Sequence, residues 1–143
     1  KSLDYGIFRK SLQQARAAGF DEALFLNRKG ELVEGSRTNI FLVKDNFLLT
    51  PSVKSGCLPG VTRQVVLAAA RRLELRCAAK ALNARDLFKA DEAFLTNALL
   101  GIMPLTRLGQ KRIGAGKPGP VTRRLCLGLQ EFHRRLGNST DVG

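Results

Sequence analysis

With 143 residues, 44% of them hydrophobic and 25% charged, the chain has the size and balance of one water-soluble globular domain. No apolar run approaches the roughly 20 residues needed to cross a bilayer, and no signal peptide is visible, so no membrane partner is expected. Its 24 Lys and Arg against 12 Asp and Glu give a net charge of +12. The basic residues are scattered or paired (Arg71-Arg72, Arg123-Arg124, Arg134-Arg135), which argues against specific nucleic-acid binding and leaves an attraction for small anions or an acidic partner segment open.

Asp4 is placed to cap a helix in which Ile7, Phe8, Leu12 and Ala15 recur at helical spacing until Gly19. Residues 22–26 read as a short strand, Asn27-Arg28-Lys29-Gly30 as a turn, and 31–34 as the return strand. Residues 38–44 form the next strand, turned by Asp45-Asn46 into 47–50, and Pro51 ends that hairpin. Leu58-Pro59-Gly60-Val61-Thr62 then feeds a helix over 62–75 with Val65, Val66, Ala69 and Leu73 on its inner face. A strand at 76–81, a short helix at 84–89, and strands at 92–96 and 102–108 follow. The Gly- and Lys-rich stretch 109–119 predicts a hairpin and an exposed loop, and Pro120 opens a last helix to about Leu136, with a frayed tail beyond. Hairpins first and alternating strands and helices later predict an α+β domain built on a curved mixed sheet.

Cys57, Cys77 and Cys126 are odd in number and far apart, which excludes a disulfide framework or a CxxC pair and favours a cytoplasmic setting. His133 lies in a basic helical stretch and reads as a surface side chain. Because the chain opens on Lys1 rather than Met, it is expected to be a piece of a longer protein.

Three places could carry chemistry. Gly60-Val61-Thr62 opens a helix after a turn, where free N–H groups, a hydroxyl and the positive helix end suit a phosphate; taken alone, the stretch reads first as an ordinary Pro-Gly turn capped by Thr62. Glu34 ends an apolar strand before Gly35 and Ser36, where a carboxylate either caps a turn or pairs with a cation. Thr96-Asn97-Ala98 closes the apolar run Ala93-Phe94-Leu95, a place for either a ligand wall or a solvated turn.

In order along the chain, Glu34-Gly35-Ser36-Arg37-Thr38-Asn39-Ile40-Phe41, Leu49-Thr50-Pro51 and Leu58-Pro59-Gly60-Val61-Thr62-Arg63 resemble the signature of the class IV aminotransferases. The flanks agree: Gly19-Phe20-Asp21-Glu22-Ala23-Leu24, Ala90-Asp91-Glu92-Ala93-Phe94 and Gly119-Pro120-Val121-Thr122, so the likeness spans nearly the whole chain. The resemblance implies pyridoxal phosphate fold type IV, of which residues 1–143 would be the larger C-terminal domain, a curved mixed sheet or pseudo-barrel with flanking helices. It implies pyridoxal 5'-phosphate as cofactor, no metal, a small anionic amino-acid-like substrate, a homodimer in the full-length protein, and a smaller N-terminal domain that this chain lacks. Lys1 would bind the cofactor's aldehyde carbon and shuttle the substrate's Cα proton. Glu34 would hydrogen-bond the pyridine nitrogen. Leu58 would pack on the ring, Gly60, Val61 and Thr62 would hold the phosphate, and Asn97 and Ala98 would lie beside it.

Within the family, Asn97-Ala98 stands where transaminases tend to carry Gly-Thr or Ser-Thr, and Gly101 where they often carry Glu. That departure is similar to 4-amino-4-deoxychorismate lyases, which form 4-aminobenzoate and pyruvate on the way to folate. A lyase is therefore the expectation, with a branched-chain or D-amino-acid aminotransferase as the alternative and a non-catalytic or basic nucleic-acid-binding module as a further one. The chain alone is expected to bind cofactor weakly and to turn over little.

Overall fold

The computed structural model describes residues 5–140, with side chains described for 6–137; Lys1 and the Asp4 cap lie outside the described residues. Helix α1 (Tyr5–Ala17) leads to β1 (Leu24–Leu26) and β2 (Leu32–Gly35), which pair antiparallel. Strands β3 (Asn39–Lys44) and β4 (Phe47–Pro51) form a hairpin, followed by a 3-10 turn (Val53–Ser55), α2 (Val61–Arg72) and β5 (Arg76–Lys80). Then come α3 (Ala84–Lys89), β6 (Glu92–Asn97), β7 (Gly101–Pro104), the small hairpin β8 (Arg107–Leu108) and β9 (Lys111–Arg112), and α4 (Pro120–Thr140).

The five-stranded sheet runs β5-β4-β3-β6-β7. Only β4 and β5 are parallel, and a parallel pair needs a crossover, which α2 supplies. The tight β3–β4 turn works because Asp45 and Asn46 take left-handed φ values of 51° and 62°, matching the twist of the strands they join. This mixed sheet with flanking helices is the α+β architecture expected.

The sheet is covered on both sides. Along β3, Ile40 and Leu42 enter one core with Leu32, Leu82, Leu87 and Leu95. Phe41 and Val43 enter the other with Leu48, Val66, Ala70 and Leu125, drawn from β4, α2 and α4. Phe41 stacks on its cross-strand partner Phe94 at 5.0 Å. Double coverage is why β3 and β6 read as unbroken apolar runs rather than as alternating ones.

Several boundaries differ from the sequence expectation, each for a local reason. The strand expected over 22–26 starts only at Leu24, because Glu22 turns its carboxylate back to the Ala23 N–H and the 36–38 loop. The helix expected to reach residue 75 ends at Arg72; Glu74 adopts φ 60° and β5 follows at once. The expected strand 102–108 is two: Leu105 N–H still reaches Ala93 O at 2.9 Å, but Ile113 N–H then bonds Thr106 O at 2.9 Å and the chain between folds on itself as β8–β9. The 3-10 turn had no sequence expectation; Ser52 caps it and Gly56, at φ 116°, ends it. All three cysteines are free and His133 is exposed.

Candidate functional site

The segment before α2 is held at both of its polar ends. Glu34, buried at the end of β2, accepts the Leu58 N–H at 2.8 Å, while the Asn39 amide donates to the Leu58 carbonyl at 2.9 Å. Gly60 is needed because a Cβ there would stand 2.4 Å from Asn39 Oδ1. Gly60 caps α2 without a side-chain hydrogen bond, and the first intrahelical bond is Gln64 N–H to Gly60 O at 3.1 Å. The N–H groups of Val61, Thr62 and Arg63 therefore have no acceptor within the helix, and they gather at its positive end. Val61 is 78% exposed, so this end is open to a ligand. Behind it the buried Arg63 sends Nη2 to Pro51 O at 3.2 Å, tying the helix to the end of β4, and its Nε has no partner.

The turn after β6 contributes next to the start of β3. Asn97 spends its amide on backbone: Nδ2 donates to Arg37 O at 3.2 Å and Oδ1 accepts the Leu100 N–H at 2.7 Å. Beside it Thr96, 2% exposed, has a hydroxyl with no hydrogen-bond partner.

These segments line one cleft of about 430 Å³. Glu34, Leu58, Gly60, Val61, Thr62, Asn97 and Ala98 all line it, so seven of the eight residues singled out from sequence face one space. The eighth, Lys1, lies outside the described residues. Phe8 of α1 also lines the cleft, and it meets Phe25 of β1 edge to face at 4.8 Å, so the start of α1 is anchored at this site. Sequence reading missed Phe8, Asn39 and Glu22 as site-building residues. Asn39 left a faint signal, a carboxamide heading an otherwise apolar strand. Glu22 left none beyond its place in a matching flank.

A buried carboxylate and an uncapped helix end lining one cleft suit a ligand carrying a proton donor and an anionic tail. Among the described residues no group of three or more His, Cys, Asp or Glu could hold a metal ion, and no helix is long and apolar enough to cross a membrane.

Comparison with known proteins gives the family. The family profile for amino-transferase class IV matches residues 1–108. The branched-chain-amino-acid aminotransferase of Pseudomonas aeruginosa is 38% identical over 115 residues, covering 80% of this chain and 37% of the relative. Among solved structures, a Legionella pneumophila protein provisionally assigned as 4-amino-4-deoxychorismate lyase superposes with a TM-score of 0.84 at 32% identity, covering 92% of this chain and 48% of that one. The branched-chain amino acid aminotransferase of Escherichia coli gives 0.82 at 33% identity, covering 85% and 41%. Another branched-chain aminotransferase of similar likeness, with a TM-score of 0.83 at 32% identity, is solved both with N-(5'-phosphopyridoxyl)-L-glutamate and with pyridoxamine 5'-phosphate.

This chain belongs to the class IV aminotransferase family, whose enzymes use pyridoxal phosphate. It spans less than half the length of these relatives.

Proposed function

We propose that this chain is the cofactor-holding part of a pyridoxal phosphate-dependent aminotransferase acting on branched-chain amino acids. The observation that carries the reading is the convergence of the buried Glu34 carboxylate and the uncapped start of α2 on one cleft. The residues present fit the group. A Cβ at Gly60 would crowd the cleft wall, the free N–H groups of 61–63 suit a phosphate, and the unpartnered Thr96 hydroxyl sits among the lining residues. When bound, pyridoxal phosphate supplies an electron sink for the carbon that loses its proton.

The chain's own residues do the rest. Val61, Thr62 and Arg63 N–H groups and the Thr62 hydroxyl bind the phosphate. Glu34 holds the proton on the pyridine nitrogen. Leu58 and Val61, apolar and exposed at 42% and 78%, shield the ring from water. Lys1 moves the proton at the substrate Cα. The rest of the full-length protein completes the substrate pocket, in a homodimer.

The aminotransferase reading is favoured over the lyase first expected, because the leading curated relatives are branched-chain aminotransferases or assigned as such. The lyase remains a second reading, resting on Asn97-Ala98 and Gly101 and on the Legionella neighbour. Full-length protein given leucine and 2-oxoglutarate should yield glutamate and the branched keto acid, and given 4-amino-4-deoxychorismate should release no pyruvate. Pyruvate release without glutamate formation would reverse the assignment; neither product would refute both readings.

A further inference from the structure

Glu22 stands just before β1, outside the set of residues that line the cleft, and its two oxygens accept four hydrogen bonds. Oε1 accepts the Ser36 hydroxyl and the Ala23 N–H, the latter at 2.8 Å. Oε2 accepts the Thr38 hydroxyl at 3.0 Å and the Arg37 N–H at 3.3 Å. Among the described residues no Lys or Arg forms an ion pair with it. An ionised carboxylate is acceptor-only, with about four lone-pair sites, and here four donors converge on them. Each bond is charge-assisted.

The backbone is shaped to allow this approach. At Gly35 a Cβ would fall 2.1 Å from Thr38 Oγ1 and 2.8 Å from Glu22 Oε2. The Gly35 N–H donates to Thr38 O at 2.8 Å and the Ser36 N–H to Ala23 O at 2.9 Å, closing the loop onto the segment that carries Glu22. From this loop the order passes to the neighbouring turn. Arg37 O accepts the Asn97 amide, and Asn97 in turn fixes the Leu100 N–H. Ser36, Arg37, Thr38, Asn97 and Ala98 all line the cleft, with the 36–38 loop and the Asn97 turn in direct contact. One carboxylate outside the cleft lining thus orders the loop directly and the Asn97 turn through it.

We propose that Glu22 is a positioning residue for the cofactor cleft: by gathering Ser36, Arg37 and Thr38 it fixes the loop that lines the cleft and, through Arg37 O, the Asn97 turn beside it. This rests on the pyridoxal phosphate reading above. A Gln at 22 can still accept at its oxygen, but whichever way the amide turns its NH₂ meets a backbone N–H donor to donor, that of Arg37 or that of Ala23, so the loop's hold on the 22–23 segment is loosened.

The test uses full-length protein, with pyridoxal 5'-phosphate as the probe, titrated into cofactor-free enzyme and followed by absorbance. Glu22→Gln should weaken cofactor binding about tenfold, the effect of losing one charge-assisted hydrogen bond. Glu22→Asp, which keeps the charge but shortens the reach, should fall between. Glu92→Gln, a remote buried carboxylate, is the control: it should lower the melting temperature and leave cofactor affinity alone. Ser36→Ala keeps the question open to measurement should Glu22→Gln not fold; it should weaken binding about threefold, and the two changes together should be less than additive. Unchanged affinity in Glu22→Gln, affinity lost only in proportion to stability as measured against Glu92→Gln, or full additivity with Ser36→Ala each overturns the proposal. A wild-type protein that fails to bind the cofactor overturns the functional reading as well, a result distinct from wild type and variant binding equally.

Discussion

Gly60→Ala isolates the packing that shapes the phosphate end of the cleft. Gly60 sits at φ −60° and ψ 151°, extended backbone that alanine adopts freely, so no strain arises from the chain itself. Restricting the unfolded chain would by itself stabilise by about 0.4–1 kcal/mol. The opposing effect is larger. The new Cβ would lie 2.4 Å from Asn39 Oδ1, and Asn39, 8% exposed, is bonded to Leu58 O at 2.9 Å. To make room the carboxamide must abandon that bond and leave buried polar groups unpaired, at about 1–3 kcal/mol. The net is a loss of about 1–2 kcal/mol, or a fall of about 3–8 °C in melting temperature for a domain of this size. A double-mutant cycle with Asn39→Ala, read by urea unfolding, assigns the cause. Asn39→Ala alone should destabilise, and Gly60→Ala added to it should cost nothing or stabilise slightly. An equal cost of Gly60→Ala in both backgrounds would refute the steric argument.

Glu92→Gln should lower stability by about 1–2 kcal/mol, because the Glu92 carboxylate accepts the Thr122 N–H at 2.8 Å and the Val121 N–H at 3.2 Å at the positive end of α4; an unshifted urea midpoint would contradict this. Phe41→Ala removes a fully buried ring stacked on Phe94 and should cost about 3–5 kcal/mol by the same measurement, against under 1 kcal/mol if the site collapses to fill the hole. Burial pushes the Cys77 and Cys126 thiols above their ordinary value of 9.0, with Arg71 drawing Cys77 part of the way back. The folded chain therefore holds these two protons more tightly than the unfolded one. Their contribution to stability is whole below the unfolded thiol value and is lost as pH rises from there through the folded values. Alkylation by iodoacetamide at pH 8 should be slower at both sites than at a free cysteine, and a labelling inflection at or below 9.0 would contradict the burial argument.

Much of the fold was readable one segment at a time. The apolar runs of β3 and β6, the Asp45-Asn46 turn and the helix opened by Pro120 each announce themselves through side chains near in sequence, because backbone conformation answers first to local sterics and to the spacing of apolar groups. Where neighbours distant in sequence intervened, local reading failed. Residues 102–108 are apolar enough for one strand, yet the pull of Ile113 on Thr106 O splits them. Seven of the cleft residues were legible through their ordered likeness to a family signature, but nothing in Glu34, Gly60 or Asn97 taken singly distinguished a ligand wall from a turn.

That the marked residues share one space is a matter of contacts between distant parts of the chain. Glu34 meets Leu58 across 24 residues and Asn97 meets Arg37 across 60. Composition, charge and motif order set the class of molecule, because they depend on which side chains are present and in what succession. Which carboxylate faces the cleft and which amide is consumed by backbone were decided only when the five-stranded sheet paired β3 with β6 and the separate β1–β2 pair packed against β3. Hydrogen bonds are short and directional, so their partners are chosen by position in space.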